Sequence, residues 1–492
     1  MQARQRPAGA MVEAMSGAAE RGVAPPRAVV RDVYLRVHGA IACIAFLSLG
    51  WQVDVLYGDS GLLPVAPFLD AIRERTSLGQ MPTILWWGAG ETALRVVASA
   101  GVAASGALAL GCAPRLCLVA IWIFYLSFVA VGRDFLDFQW DNLLLESTFF
   151  ALFVAPSGWR LRGAPPPHRL GVFLMLWLVF RLHVESGAAK LLSGDPTWRD
   201  LTAMVAYYET APLPTWLGWY AHQLPVWAHQ LTALATLVAE LAVPLLIWLG
   251  RGPRRLAFAV LASLQLGVVL TANYTFFNYL TLALCLFVLD DRDMPAWLRA
   301  GAAARSRPPA WRQAAGGLIG AAFVLLSFVP FSRFVAPLPA LDAVRATIGP
   351  WRTINAYHLF ASMTLVRREA VIEGSDDGAT WHPYEFHYKP GDVHRPPAFV
   401  APHQPRVDFR LWFLLLGRRW GAPYFDVLLD RILHEPQAVA PLFAQQPFAR
   451  VGPRFVRVVV YRYRFTDWDE GWRTGAWWSR EQVTTSRVRE RR

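Results

Sequence analysis

Four ionisable side chains follow one apolar run, and their types could perform acid–base chemistry inside a membrane. The run from Leu170 to Phe180 is followed directly by four such residues: Arg181, His183, Glu185 and Lys190. Ionisable groups at membrane depth cost a few kcal/mol each, so they mark either a functional site or a buried ion pair. The sequence therefore makes this segment the first candidate for a site.

The spacing of these residues allows two interpretations. In a helix that continues through Lys190, His183 and Lys190 lie on one face with Ser186 between them, while Arg181 and Glu185 form an i, i+4 pair. In the functional interpretation, a desolvated Lys190 acts as a base beside His183. In the structural interpretation, Arg181 and Glu185 are an ion pair and Lys190 reaches the membrane interface by its flexible stem. Spacing alone leaves both open.

Two further carboxylates are predicted at comparable depth. Glu146 lies four residues after Asn142 on the same helical face, and Glu240 lies in the middle of another apolar run. An unpaired carboxylate there would be costly, so we expect Glu240 to pair with a cation from a neighbouring helix. The catalytic candidates are thus Lys190, His183, Glu185 and Glu240. No metal-ligand spacing, nucleotide-binding glycine loop or nucleophile elbow accompanies them, so neither a metal nor a nucleotide cofactor is expected.

The elements that position these groups are membrane helices. The 492 residues are 54% hydrophobic and include 22 Trp, and a span needs roughly 20 mostly apolar residues. This predicts a polytopic α-helical membrane protein with about nine spans: 35–52, 93–111, 116–131, 142–156, 169–191, 231–249, 255–271, 276–290 and 313–335.

Arginine is concentrated in every second connection between these spans. Arg-rich segments precede the first span and follow spans two, four, six and eight. By the positive-inside rule, the N-terminus is cytoplasmic and the region after residue 336 is exoplasmic. The net charge of +12 belongs mostly to these connections, so it does not indicate nucleic-acid binding.

The chain is therefore predicted to consist of four segments. Residues 1–30 are predicted to be a disordered cytoplasmic tail, 31–336 a helical transmembrane domain, 337–480 an exoplasmic α+β domain, and 481–492 a basic disordered tail. In the α+β domain, 364–373 and 381–388 read as strands joined by a turn. Residues 406–416 could be strand or helix, 424–434 have helical periodicity, and 455–465 form a β-branched and aromatic run. Aromatic residues in the connection 192–230 suit a membrane interface, with a ligand platform as the alternative.

Several ordered motifs between about 130 and 480 resemble the lipase maturation factor family. They include Phe138-Gln139-Trp140-Asp141, the stretch from Ser186-Gly187 through Lys190 to Thr197-Trp198, Asn273-Tyr274-x-Phe276-Phe277-Asn278, and the turn Glu373–Trp381. The family-motif residues are Gln139, Trp140, Asp141, Glu146, Ser186, Gly187, Lys190, Gly194, Asp195, Pro196, Trp198, Glu209, Asn273, Asn278, Gly378, Trp381 and Arg462.

This resemblance implies a membrane-anchored, chaperone-like maturation factor rather than a known enzyme. Its expected partners are membrane lipid and secreted client proteins, lipases among them, and no nucleic acid. In animals such proteins reside in the endoplasmic reticulum membrane. The preference for Arg over Lys and the abundance of Ala suggest a GC-rich bacterial genome, for which the compartment would be the inner membrane.

A weaker resemblance covers about a hundred residues. Spans four to six, with Lys190 after Ser-Gly and Glu240 in the next span, look like the transmembrane domain shared with vitamin K-dependent γ-carboxylases, where a lysine is the catalytic base. It implies an alternative function, a membrane-embedded enzyme with Lys190 as base. A quinone-like cofactor is expected only under that alternative, and none otherwise.

Overall fold

The computed structural model describes residues 27–299, 310–336, 338–416 and 422–491. Apolar helices fill the first two ranges, and a mixed domain of helices and one antiparallel sheet follows. The predicted class, a helical membrane protein with a C-terminal α+β domain, is confirmed. We call the two parts the membrane domain and the C-terminal domain.

The helices of the membrane domain are α1 Ala28–Tyr57, α2 Val65–Ile72, α3 Glu91–Leu110, α4 Pro114–Val131, α5 Gln139–Ala151, α6 Arg169–Leu192, α7 Pro196–Arg199, α8 Ala203–Thr210, α9 Trp216–His222, α10 Val226–Leu241, α11 Arg251–Thr271, α12 Phe277–Cys285 and α13 Ala310–Val335. Those of the C-terminal domain are α14 Asp342–Ile348, α15 Arg406–Leu414, α16 Pro423–His434, α17 Pro436–Val439 and α18 Trp468–Thr474.

Seven helical stretches in the described residues are long and apolar enough to cross a membrane: Ala28–Tyr57, Glu91–Leu110, Pro114–Val131, Arg169–Leu192, Val226–Trp248, Arg251–Thr271 and Ala314–Val335. The two other predicted spans, 142–156 and 276–290, fall on α5 and α12, which are shorter. With 13 residues, α5 is about 20 Å long, less than the ~30 Å hydrocarbon thickness. The count of nine spans therefore stays a prediction.

The arginine-rich ends of these helices lie together. Asp291 accepts hydrogen bonds from the first three backbone N–H groups of α1, at 2.8–3.0 Å. Arg31 donates to the Pro165 carbonyl at 2.6 Å, and Arg254 donates to that of Val288 at 3.1 Å. In the half of α1 farther from these arginines, the Ser48 hydroxyl accepts from the Gln404 N–H of the C-terminal domain at 3.0 Å. The C-terminal domain thus covers the end of the bundle away from the arginines.

The sheet consists of β1 Arg367–Ser375, β2 His382–Phe386, β3 Phe443–Gln445, β4 Phe455–Phe465, β5 Trp478–Thr485 and β6 Arg489–Glu490. All pairs are antiparallel in the order β3-β2-β1-β4-β5, and β6 also pairs with β4. Helix α16 packs its buried apolar face near β4. The predicted strands 364–373 and 381–388 correspond to β1 and β2, and the predicted helix 424–434 corresponds to α16. The β-branched and aromatic run 455–465 is β4, and 406–416, for which strand and helix were both open, contains the helix α15.

Two predicted boundaries require correction. Helix α1 begins at Ala28, so residues 27–30 belong to the membrane domain, because Asp291 fixes the helix start; residues 1–26 lie outside the described residues. The predicted basic tail 481–492 includes most of β5 and all of β6. Its charged side chains are compatible with an exposed edge strand, whose stability comes from backbone pairing with β4.

Candidate functional site

All four ionisable residues of α6 named from the sequence are buried, with 1–6% of their surface exposed. They do not form one cluster. The helix directs them to three places: Lys190 to α10, Arg181 and Glu185 to α5 and the C-terminal domain, and His183 to α11.

Lys190 forms an ion pair with Glu240. The ammonium Nζ lies 2.9 and 2.7 Å from the two carboxylate oxygens, and it also donates to the Leu359 carbonyl at 3.0 Å. The indole of Trp198 lies over the same ammonium, 5.1 Å away. These acceptors match the three donors of a protonated lysine. The predicted pairing of Glu240 with a cation from a neighbouring helix is confirmed.

Arg181 stands between two carboxylates. Its guanidinium is paired with Glu146 of α5 and lies 3.6 Å from Glu185 one helical turn away, the predicted i, i+4 pair. The C-terminal domain completes the cluster: Asn355 N–H donates to Glu146 at 2.9 Å, and Tyr357 N–H donates to Glu185 at 2.9 Å. We call these five residues the Arg181 cluster.

His183 is not a partner of Lys190, although the helical spacing allowed that interpretation. Its Nδ1 lies 2.8 Å from the Val179 carbonyl, so this nitrogen carries the proton. Its Nε2 then accepts from the Gln265 amide at 3.3 Å, and Gln265 accepts from Asn278 at 2.7 Å. The chain of neutral hydrogen bonds occupies both ring nitrogens and leaves no role as a proton acceptor for Lys190.

Many of the family-motif residues fasten the two domains together. Asp141 of α5 lies 3.4 Å from the Arg406 guanidinium of α15, with both side chains fully buried. Asn273 accepts from the Val400 and Ala401 N–H groups at 2.8 and 2.9 Å. The remaining contacts of this kind are Gln139 with His358, Asp195 with Met363, Trp198 with Phe360 and Glu209 with Phe465. We call this set of contacts, with the Arg181 cluster, the interdomain joint.

Two carboxylates of the joint lie outside the spans and have shifted pKa values. Burial raises the pKa of Glu209, against the opposing effects of the Phe465 N–H and the Arg367 charge. For Asp195, burial alone would raise the pKa, but hydrogen bonds from Met363 N–H and Thr197 outweigh it and hold the pKa below its ordinary value. Asp195 is thus stabilised as a charged acceptor.

The other motif residues have structural positions. Gly187 meets α10 so closely that an added Cβ would lie 2.9 Å from that of Glu240, which makes it a helix crossing point. Gly194 and Gly378 have φ of +80° and +73°, a region that favours glycine. Ser186 bonds its own helix, Pro196 opens α7, Trp140 lies beside the Phe138 and Phe409 rings, Trp381 stacks on Arg457, and Arg462 lies in β4 opposite Arg368.

A cavity of about 520 Å³ lies beside the ion pair of Lys190 and Glu240. Its walls come from α8, α10, α11 and α12, and Leu359 and Phe360 of the C-terminal domain contribute to its lining. No cluster of three or more His, Cys, Asp or Glu side chains that could hold a metal ion occurs in the described part of the chain. The cavity is therefore the feature of the membrane domain best suited to a ligand.

The aromatic residues of the connection 192–230 divide between two roles. Trp219 is buried against Trp468 and Trp477 of the C-terminal domain and donates to Thr466 at 3.2 Å. Trp227 is 63% exposed, as an interfacial aromatic would be. The predicted interface role fits Trp227, whereas Trp219 makes a further contact between the two domains.

Sequence reasoning missed the C-terminal half of the site. Asn355, Tyr357 and Leu359 lie in a segment without regular secondary structure, yet they complete the bonding of Glu146, Glu185 and Lys190. Gln265 was missed as well, although a buried amide on a mostly lipid-facing helix is a usable signal.

Comparisons with known proteins agree with this architecture. The family model described as lipase maturation factor transmembrane domain matches residues 29–296, and that described as lipase maturation factor C-terminal domain matches residues 353–487. No solved structure matches significantly. Lipase maturation factor 2 of Gallus gallus is 33% identical, covering 93% of this chain and 81% of the relative.

Two human relatives have similar sequence identities and coverages. Lipase maturation factor 2 of Homo sapiens is 32% identical, with 92% of this chain and 81% of the relative covered. Lipase maturation factor 1 of Homo sapiens is 31% identical, with 92% and 86% covered. The two regions matched by the family models, 29–296 and 353–487, together contain the residues of the interdomain joint. The chain belongs to the lipase maturation factor family.

Proposed function

We propose that the protein is a membrane-anchored, chaperone-like maturation factor that assists the folding or assembly of exported proteins, lipases among them. The observation that carries the proposal is the position of the C-terminal domain, fixed by the interdomain joint at the end of the bundle opposite the arginine-rich connections. The positive-inside rule assigns the arginines to the cytoplasm. The C-terminal domain then faces the compartment in which exported proteins fold.

The client class comes from the relatives. Proteins covering most of this chain carry the name lipase maturation factor. The C-terminal domain also exposes large apolar side chains, including Trp472 at 78% and Leu365 at 60%. Exposed apolar groups of this kind suit contact with incompletely folded proteins.

Orientation can be tested with native and introduced cysteines. Cys112 is exposed and lies between α3 and α4 at the arginine-rich end. In intact cells, a membrane-impermeant thiol reagent should label a Val483→Cys variant at position 483 and leave Cys112 unlabelled until the membrane is opened. Labelling of Cys112 in intact cells, with position 483 protected, would reverse the orientation and remove the support for the proposal.

The activity test is lipase maturation in a host lacking this gene. The readout is lipase activity per mass of secreted lipase, with the factor supplied as the full chain. Wild type should restore this specific activity, and substitution of exposed apolar residues, Trp472→Ser with Leu365→Ser, should reduce it without changing the amount of factor in the membrane. Specific activity that is normal without the gene would refute lipases as clients.

The alternative, a membrane enzyme with Lys190 as base, is favoured by one observation: Lys190 and Glu240 line the cavity. The geometry weighs against it, since the ammonium is engaged by both oxygens of Glu240 and by Leu359. Lys190→Met combined with Glu240→Gln removes both charges and avoids an unpaired buried one. A maturation factor should retain its activity in this double variant, whereas an enzyme that uses Lys190 as base should lose it.

A further inference from the structure

The cavity beside Lys190 opens at the surface of the membrane domain between α10 and α11. Ala235 of α10 and Ala259, Ser263 and Gly267 of α11 line it and are nevertheless exposed. The small residues on α11 recur every fourth position, so they form one stripe along the helix. Because these two helices lie within the spans, the opening faces the bilayer.

The side chains around the opening are those expected to contact lipid. Leu231 and Leu234 of α10 and Leu266 and Leu270 of α11 are 45–57% exposed. In the most apolar 18-residue stretch of α11, only 17% is buried in the protein. A molecule that enters here therefore comes from the hydrocarbon region rather than from water.

The polar groups in the wall suit a neutral ligand. The positive charge of Lys190 is matched by Glu240 at 2.7 Å, so the ion pair presents no net charge to the cavity. The Thr232 and Thr236 hydroxyls donate to carbonyls of their own helix at 2.9 and 2.8 Å. An anionic head group would find no free cation among these side chains.

Two buried neutral donors in the same wall lack an acceptor among the described residues, namely the Trp140 indole N–H and one hydroxyl of the Tyr207 and Tyr274 pair, since the other hydroxyl of that pair donates to its neighbour. The indole N–H of Trp140 has no hydrogen-bond partner within the described part of the chain. The Tyr207 and Tyr274 hydroxyls are neighbours, and neither bonds any other described group. All three side chains are at most 6% exposed. Buried donors without partners are costly, and an oxygen acceptor on a ligand would satisfy them.

We propose that this cavity binds one neutral lipid, which enters between α10 and α11 and places a hydroxyl, ester or keto oxygen against Trp140, Tyr207 and Tyr274. The volume of about 520 Å³ lies within the range of about 300–1,000 Å³ that is usual for small-molecule sites. Acylglycerols and isoprenoid quinones both have this chemistry. The site is independent of the proposed function, since it does not involve the exposed apolar side chains of the C-terminal domain that are proposed to contact client proteins.

The test uses the full-length protein and a monoacylglycerol probe with a photoreactive diazirine and an alkyne in its acyl chain. Crosslinked peptides should map to α10 and α11. Unlabelled monoacylglycerol and an isoprenoid quinone serve as separate competitors, and whichever reduces labelling more identifies the source of the lipid. Labelling that is displaced equally well by phosphatidylglycerol would contradict a neutral site.

Gly267→Phe should close the cavity. A Cβ at position 267 has no atom within 4 Å, so the ring can extend into the cavity without a clash at its base. We expect labelling to fall about tenfold, equivalent to about 1.4 kcal/mol. Gly252→Phe is the matched control, since Gly252 lies on the same helix, is exposed and also has no atom near its Cβ. Equal labelling in both variants would overturn the proposal.

Ala235→Leu is the second blocking variant, in case Gly267→Phe does not accumulate in the membrane. Tyr274→Phe removes one hydroxyl of the Tyr207 and Tyr274 pair and leaves the shape of the cavity nearly unchanged. It should weaken binding of the monoacylglycerol probe and leave the amount of protein unaltered. Unchanged probe binding in Tyr274→Phe and in Ala235→Leu would show that the probe does not occupy the cavity.

Discussion

Helix α6 carries two buried charge sites that differ in composition and surroundings. The Lys190 site has one cation and one carboxylate and borders the cavity. The Arg181 cluster has one cation and two carboxylates, and none of its side chains lines the cavity. Its additional carboxylate is compensated by N–H groups of Asn355 and Tyr357. Charge at membrane depth therefore has two uses here, one beside a ligand-sized space and one in domain attachment.

The largest loss of folding stability is expected from a substitution in the Arg181 cluster. Arg181→Met would leave Glu146 and Glu185 buried without a cation, and breaking a buried pair in this way costs about 3–5 kcal/mol. Thermal unfolding in detergent and the amount of protein in the membrane measure it. The control is Asp137→Asn, which removes an exposed pair with Arg352 at 3.8 Å and should cost less than about 1 kcal/mol. Similar losses in both variants would show that burial does not matter at this cluster.

The stability lost at the Lys190 site should be recovered by a second substitution more completely than the stability lost at the Arg181 cluster. Lys190→Met alone leaves Glu240 unpaired and should destabilise the protein by an amount within the same range of about 3–5 kcal/mol. Adding Glu240→Gln should recover most of it. At the Arg181 cluster, adding Glu146→Gln to Arg181→Met should recover less, because Glu185 stays charged and buried. Equal recovery at the two sites, measured as a double-mutant cycle, would remove the distinction between them.

These two sites also show what the sequence could predict. Glu240 lies in the middle of an apolar run, so its need for a cation followed from the cost of an isolated charge. The partners of Glu146 could not be predicted in the same way. Asn355 is 209 residues away along the chain, in a segment with neither helical nor strand periodicity. The family resemblance supplied Glu146 as a motif residue without its role.

In the C-terminal domain, too, only part of the structure could be predicted from the sequence. Strand β4 has the same bounds as the β-branched and aromatic run 455–465 found in the sequence, and such a composition is typical of strands. Strand β5 has eight residues, of which only Trp478 is buried. A strand without a buried face shows no apolar alternation, so charge and sequence position suggested a disordered tail instead. Its pairing with β4 is a property of the sheet and not of the segment.

A neutral contact of the joint should have an intermediate effect. Asn273 is buried, donates to the Ala398 carbonyl at 2.8 Å and accepts from the Val400 and Ala401 N–H groups. Asn273→Ala leaves these half-buried backbone groups without their partner, so we expect a loss of stability at the lower end of the range of about 1–3 kcal/mol for unsatisfied buried groups. Hydrogen exchange of residues 398–401 should accelerate, while exchange in α6 stays unchanged. Faster exchange throughout α6 would mean that the Asn273 contact and the Arg181 cluster unfold as one unit.

The smallest effect is expected at Asp195, at the half-buried edge of the joint. Its carboxylate accepts from the Met363 N–H at 2.6 Å, and its pKa lies below the ordinary 3.8 because such hydrogen bonds outweigh burial. A carboxyl group with a lowered pKa stabilises the folded state above its unfolded pKa and loses that contribution as the pH falls through its folded pKa. The protection factor of the Met363 amide, which is the intrinsic exchange rate divided by the observed rate at the same pH, should therefore be high at neutral pH and fall below about pH 4.

Other carboxylates also become protonated in this range, so the comparison requires Asp195→Asn. That variant has no titrating group at position 195, and the protection factor of its Met363 amide should be lower at neutral pH and change less on acidification. If the wild type and Asp195→Asn show the same pH dependence, the acid response comes from elsewhere in the joint. In that case the charge of Asp195 would not stabilise the half-buried edge of the joint. The difference in stability between this edge and the Arg181 cluster would then come from burial alone.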